Sequence, residues 1–206
     1  MAKVIDYYYV LISPWTYLGG PRFDAIAARH GATVNCKPMD LAKVFPVSGG
    51  LPLAKRAPQR QAYRLAELER WRDHLGMEIN LMPKFFPANY DLAQRMVVAA
   101  VTAGGGQGGG GADPKRLSHA ILRAIWADDG DIADAATLAK IADDNGMDGT
   151  ALLAMAQAPE VLAAYEANTT EAIERGVFGA PSYIFNNELL WGQDRLDFLD
   201  RALAAG

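Results

Sequence analysis

Hydrophobic positions recur along this chain with two periods, and each change of period marks an expected change between strand and helix. Val4-Ile5-Asp6-Tyr7-Tyr8-Tyr9-Val10-Leu11-Ile12 is a run of β-formers that stops at Ser13-Pro14. Serine has the chemistry of a helix N-cap, and proline suits the first helical position, where a missing N–H costs nothing and φ is already helical. A strand, an abrupt turn and a helix are therefore expected. The helix runs from Trp15 to about His30, with Phe23, Ile26 and Ala27 inward and Gly31 at its stop. Ala32 to Pro38 alternates small or apolar with polar residues and reads as a second strand. Strand, helix and strand at this spacing make a βαβ unit with parallel strands.

The middle of the chain reads as helical. Asp40 to Ala57 is expected to be loop, because Pro46, Gly49, Gly50 and Pro52 interrupt it. Pro58 opens an amphipathic helix carrying Tyr63, Leu65, Ala66, Leu68, Trp71 and Leu75, which Gly76 ends. Met77 to Ala88 is too rich in proline for a helix. Further helices are expected at about 89–103, from Asp113-Pro114 onward, and at about 134–145, 149–157 and 159–175. The stretch 104–111 holds seven glycines and Gln107, without a hydroxyl or lysine at nucleotide-loop spacing. It reads as a flexible connector and not as a phosphate cradle.

After Gly176 the strand period returns. Ser182–Phe185 and Glu188–Trp191 form a hairpin around Asn186-Asn187, since asparagine tolerates the positive φ such a turn needs. A last helix runs from about Asp194 to Ala204, with Leu196, Leu199 and Leu203 inward. The strands bracket the helical block. The expected architecture is therefore α/β: one sheet built from 1–45 and 176–206, with a large all-helical insertion, 46–175, in one compact unit.

Composition narrows what such a fold can do. At 206 residues, half of them hydrophobic and 21% charged, the chain can bury a good core and is wrong for a disordered protein. A net charge of −4 argues against broad attraction to nucleic acid or anionic membrane, so an acidic ligand would need a local basic cluster. The N-terminal run, broken by Asp6 and Pro14, reads as a strand and not a signal peptide, and no apolar stretch reaches membrane-spanning length. A cytoplasmic protein is expected. Cys36 is the single cysteine, which excludes an intramolecular disulfide and a C-x-x-C motif, and it reads as a small buried hydrophobe. His30, His74 and His119 have no pairing at ligand spacing, so no metal site is expected.

One position carries candidate chemistry from spacing alone. Ser13 holds a hydroxyl at the positive end of a helix, a place that stabilises an anion, whether phosphate, carboxylate or thiolate. The plainer alternative is that Ser13 only caps the helix.

The order strand–helix–strand, then hairpin and helix, is that of a thioredoxin fold, and Gly179-Ala180-Pro181-Ser182 puts a proline just before the hairpin. With Ser13-Pro14-Trp15-Thr16-Tyr17-Leu18-Gly19, Pro58-Gln59-Arg60-Gln61-Ala62-Tyr63-Arg64, Gly176 to Tyr183 and Trp191-Gly192-Gln193-Asp194-Arg195, the chain resembles the 2-hydroxychromene-2-carboxylate isomerases and kappa-class glutathione transferases. These are relatives of the bacterial DsbA-type disulfide oxidoreductases. The resemblance implies that Pro181 is cis, that Ser13 replaces a nucleophilic cysteine, and that the reactive sulfur belongs to bound glutathione, the implied cofactor. Ser13 would favour its thiolate, Ala180 and Pro181 would face its cysteinyl backbone, Gln193 and Asp194 its γ-glutamyl end, and Arg60, with Lys55 nearby, a carboxylate. Relatives often carry an asparagine where this chain has Gly49-Gly50-Leu51.

Trp15 and Tyr17 stand in the first turn beside Ser13 and, with Phe86 and Trp191, are expected to line a substrate pocket; the resemblance also implies a homodimer. The implied substrate is a small aromatic carboxylate, with Lys43, Lys55, Arg56 and Lys84 as candidates to meet its charge. The implied reaction interconverts 2-hydroxychromene-2-carboxylate and trans-o-hydroxybenzylidenepyruvate, a step of naphthalene degradation, by reversible addition of the glutathione thiolate. A kappa-like transferase and a non-catalytic binding module of the same fold remain alternatives.

Overall fold

The two ends of the chain meet in one four-stranded sheet. In the computed structural model, which describes residues 2–104 and 112–206, β1 (Val4–Tyr9) runs parallel to β2 (Thr33–Pro38) and antiparallel to β3 (Ser182–Phe185). The edge strand β4 (Glu188–Trp191) pairs with β3, giving the order β2-β1-β3-β4. Asn186 and Asn187, at φ 48° and 64°, make the hairpin turn as their side chains allow. The glycine-rich connector expected at 104–111 lies, apart from Gly104, outside the described residues.

The period of two in β1 divides the core. Ile5, Tyr7 and Tyr9 face the larger apolar cluster, while Tyr8 and Val10 face a smaller one. On the larger side Tyr7 stacks on Tyr9 and Tyr183, with ring centroids 4.3 and 5.2 Å apart, and Phe23 closes the group. That side is covered by α1 (Pro14–Arg29), α3 (Pro58–Leu75), α5 (Pro114–Trp126) and α9 (Leu196–Ala205). The helices α4 (Asp91–Ala103), α6 (Ala135–Asp144), α7 (Gly149–Met155) and α8 (Pro159–Glu174) complete the block. Aspartates 113, 134 and 148 cap α5, α6 and α7 by accepting first-turn N–H groups.

Residues 40–57 are not loop throughout. A helix α2 (Leu41–Ser48) and a 3₁₀ turn at Leu53–Lys55 occupy the segment. Asp40 caps α2 by accepting the Ala42 N–H at 2.9 Å, and Gly49 ends it at φ 76°. Pro46 removes one hydrogen bond from the last turn, yet Val44 is fully buried against the smaller cluster. Burial outweighs the breaker.

One polar side chain inside α4 ties the strand ends together. Gln94 is fully buried; its Oε1 accepts the Leu11 N–H at 3.1 Å, and its Nε2 donates to the Met39 carbonyl at 2.8 Å and to the Tyr9 carbonyl at 3.4 Å. It thereby holds the segment that leads from β1 into Ser13. Among the described residues no helix is long and apolar enough to cross a membrane, and no group of His, Cys, Asp and Glu could hold a metal.

Candidate active site

The turn between β1 and α1 places a hydroxyl at a helix end. The Ser13 N–H donates to the Val10 carbonyl at 3.1 Å, and Ser13 keeps extended dihedrals (φ −84°, ψ 120°) that reverse the chain into α1. Its Oγ accepts the Thr16 N–H at 3.2 Å, so the cap is real. The hydroxyl proton has only a long contact, 3.4 Å, to the Ala180 carbonyl. Pro14 has no N–H, the Thr16 and Tyr17 N–H groups are used by Ser13, and the Trp15 N–H is left without a partner among the described residues. A weakly held hydroxyl and a free N–H thus share the positive end of α1.

Opposite this helix end lies the start of the hairpin. The Ala180–Pro181 peptide bond is cis, as the resemblance implies, and the Pro181 carbonyl accepts the Gly192 N–H at 2.9 Å. Ala180 precedes β3, so its backbone is free of the sheet ladder. Gly179 is required by crowding: a Cβ there would lie 2.3 Å from the Trp191 indole nitrogen. Trp191, half exposed, packs on Phe178 with centroids 4.7 Å apart.

These pieces border a cavity of about 980 Å³. Ser13 and Ala180 line it, with Trp15, Phe86 and Trp191 among its aromatic walls and Arg60 on α3. Six of the residues singled out from the sequence therefore surround one space, and Pro181 is buried directly beside Ala180. Four do not line it. Tyr17 is buried elsewhere and its hydroxyl donates to the Glu78 carbonyl at 2.7 Å, because two helical steps from Trp15 turn a side chain to the opposite face. Lys55 stands exposed at the end of the 3₁₀ turn. Gln193 is buried, with its side-chain and backbone oxygens both bonded by Arg22. Asp194 pairs with Arg195 at 2.9 Å and does not cap α9, which starts at Leu196 after a 3₁₀ turn and has no side-chain cap.

The cation candidates separate in the same way. Lys43 pairs with Glu166 on α8, and Lys84 lies over the Phe85 ring at 4.9 Å, neither lining the cavity. Arg56 does line it and donates Nε–H to the Leu51 carbonyl at 2.8 Å. Sequence reasoning missed Arg64, a further lining residue one helical turn beyond Arg60. The available signal was the repeat Arg56, Arg60, Arg64, whose last two members share one face of α3. The ion pairs within α3 are Glu67–Arg70 and Arg72–Asp73, and no carboxylate of the described residues pairs with any of the three cavity arginines. Burial, and then the charge of Arg60, lower the pKa of Arg56; burial, and then Arg56, bring Arg64 down to about 10. Both remain cations at neutral pH.

Cys36 takes no part in the site. It is buried in β2, and burial pushes its thiol up to about 12. The native protein is therefore expected to leave a disulfide thiol reagent unreacted at neutral pH and to titrate one thiol on unfolding; rapid native reaction would show that Cys36 is reachable.

A model of the DSBA-like thioredoxin domain matches residues 4–204. The protein named 2-hydroxychromene-2-carboxylate isomerase from Sphingobium xenophagum is 30% identical over 204 residues, covering 98% of this chain and 99% of that protein. A solved structure of selenomethionine 2-hydroxychromene-2-carboxylate isomerase superposes with a TM-score of 0.80 at 26% identity, covering 98% and 95% of the two chains. The cytosolic disulfide reductase DsbM from Pseudomonas aeruginosa, solved with GSH, shares the fold at a TM-score of 0.65 and 18% identity, with 98% of each chain covered. With the family match spanning nearly all of its length and a serine at the helix end, the chain belongs to the DSBA-like thioredoxin family, among relatives named 2-hydroxychromene-2-carboxylate isomerase.

Proposed function

We propose that this protein is a glutathione-dependent isomerase that interconverts 2-hydroxychromene-2-carboxylate and trans-o-hydroxybenzylidenepyruvate. The observation that carries the reading is the Ser13 hydroxyl, capping α1 yet holding its own proton only loosely, beside Ala180 at the mouth of a large aromatic cavity. A serine there cannot exchange disulfides, and Cys36 is buried away from the site. In this reading the sulfur is that of a bound ligand.

The residues present fit that ligand. Ser13 Oγ–H and the Trp15 N–H would donate to a thiolate at the positive end of α1, which lowers the pKa of the thiol. Ala180 offers unladdered backbone to a peptide, and Arg60 offers a cation to a terminal carboxylate. Bound glutathione would supply a reversible sulfur nucleophile, enough to turn a conjugated double bond into one that rotates. Trp15, Phe86 and Trp191 would exclude water from a flat ring, and a volume of about 980 Å³ lies near the upper end for small-molecule pockets. The reading places the protein in the reducing cytoplasm, where the ligand stays a thiol.

Two measurements test it. Titrated with the protein, glutathione is expected to show thiolate ultraviolet absorbance at a pH at least one unit below its free pKa, about 8.5 for an ordinary thiol. With 2-hydroxychromene-2-carboxylate, turnover is expected at catalytic thiol without loss of thiol. Absence of the thiolate signal overturns the reading; stoichiometric thiol consumption replaces it with a transferase.

A further inference from the structure

The wall of the cavity holds a positive charge that nothing in the described chain neutralises. Arg64 is partly buried, its guanidinium carbon 5.3 Å from the centre of the Phe86 ring and 5.7 Å from that of Trp126. Trp126 is fully buried, so one flank of the guanidinium is closed by hydrocarbon and not by water. It donates to no carboxylate: Glu67, one turn further along α3 and also lining the cavity, accepts from Arg70 instead. Nor does it donate to any backbone carbonyl of the described residues. Arg56 and Arg60 stand in the same wall, so the local field is repulsive among cations before any ligand enters.

A half-buried guanidinium without a partner is a costly arrangement in a protein interior. One incoming carboxylate removes the cost, because the planar fork of arginine matches both of its oxygens. The three arginines are not equivalent. Arg60 is exposed, Arg56 already spends its Nε–H on the Leu51 carbonyl, and Arg64 alone rests one flank against a pair of packed aromatic rings. Cation–π contact fixes the plane of the guanidinium without consuming its N–H donors.

We propose that Arg64, with Arg56 as second donor, selects acids over neutral compounds by binding the carboxylate of a flat aromatic substrate, leaving Arg60 for the carboxylate of the thiol ligand. The assignment rests on the isomerase reading for the identity of the substrate, but the acid's binding can be measured without thiol and without turnover.

The test is calorimetric titration of the full chain with chromone-2-carboxylate, an unreactive flat acid, and with its neutral carboxamide. Wild-type protein is expected to prefer the acid by about 30-fold, the scale of a hydrogen bond to a charged group. Arg64→Met is expected to bring the two within about threefold of one another, and Arg64→Lys to restore part of the preference. Arg60→Met should keep the acid preference and weaken glutathione instead. Arg64→Gln, which retains a polar stem, serves if the methionine variant does not fold; it too should lose the preference.

Equal binding of acid and amide by wild type overturns the proposal. So does an undiminished preference in Arg64→Met, or a loss of affinity there confined to glutathione, which would give Arg64 the thiol's own carboxylate. If acid selection follows Arg64 while glutathione shows no thiolate signal, the isomerase reading fails and the acid site stands.

Discussion

Replacing Ser13 by alanine is expected to lower turnover of 2-hydroxychromene-2-carboxylate about 100-fold, the scale on which a single donor to a developing or stabilised anion acts. The pKa of bound glutathione should rise toward its free value in the same variant. Because the Ser13 oxygen also caps α1, a second, smaller loss is built into the substitution: about 1 kcal/mol of stability, or some 2–4 °C in melting temperature for a chain of this size. Ser13→Asp separates the two roles. Aspartate caps as well as serine and sits favourably at the helix N-terminus, so the melting temperature should stay at or above that of wild type. Its carboxylate would repel the thiolate, so the pKa depression and the activity should vanish. A Ser13→Asp protein with wild-type turnover would reduce Ser13 to a cap.

The largest loss of stability is expected from a residue that touches no ligand. Gln94→Leu keeps much of the buried volume but strands the Leu11 N–H and the Met39 carbonyl, both of which the amide satisfies. The Tyr9 carbonyl keeps another partner, the Met39 N–H at 3.1 Å, and is not orphaned. At about 1–3 kcal/mol for each abandoned group, the variant should lose about 3 kcal/mol and melt about 6–12 °C lower. Urea unfolding measures the free energy directly. A loss below about 1 kcal/mol would mean that the backbone re-pairs by itself and that Gln94 is not the tie between the ends of β1 and β2. Since Leu11 lies two residues before Ser13, a weakened tie should also loosen the helix end, seen as a smaller thiolate signal in a variant that still folds.

What could be read from sequence follows from range. The strand starting at Val4, the cap at Ser13, the stop at Gly31 and the Asn186-Asn187 turn are each decided by a few neighbouring residues and stand where the pattern puts them, although the strand ends at Tyr9 and not at Ile12. The helix Leu41–Ser48 was hidden because its breakers are local while its cause, the burial of Val44 beneath α8, is not. Tyr17 follows Trp15 so closely that proximity along the chain suggested a shared wall, but helical rotation sends its hydroxyl to Glu78. Arg64 was hidden by company. On a helix with Glu67, Arg70, Arg72 and Asp73, one more charge reads as solvated surface, and only the packing of Phe86 and Trp126 shows that this one is not.

The contact between Ser13 and Ala180 closes a span of 167 residues. A chain made in the N-to-C direction therefore completes the helix end well before it receives the facing backbone, 167 residues later. Until β3 arrives, β1 presents an open edge rich in tyrosine, the kind of edge that recruits other strands. Prematurely terminated copies of this protein would thus be catalytically silent and prone to aggregate for the same reason, which makes the final hairpin the point at which synthesis turns into both solubility and chemistry.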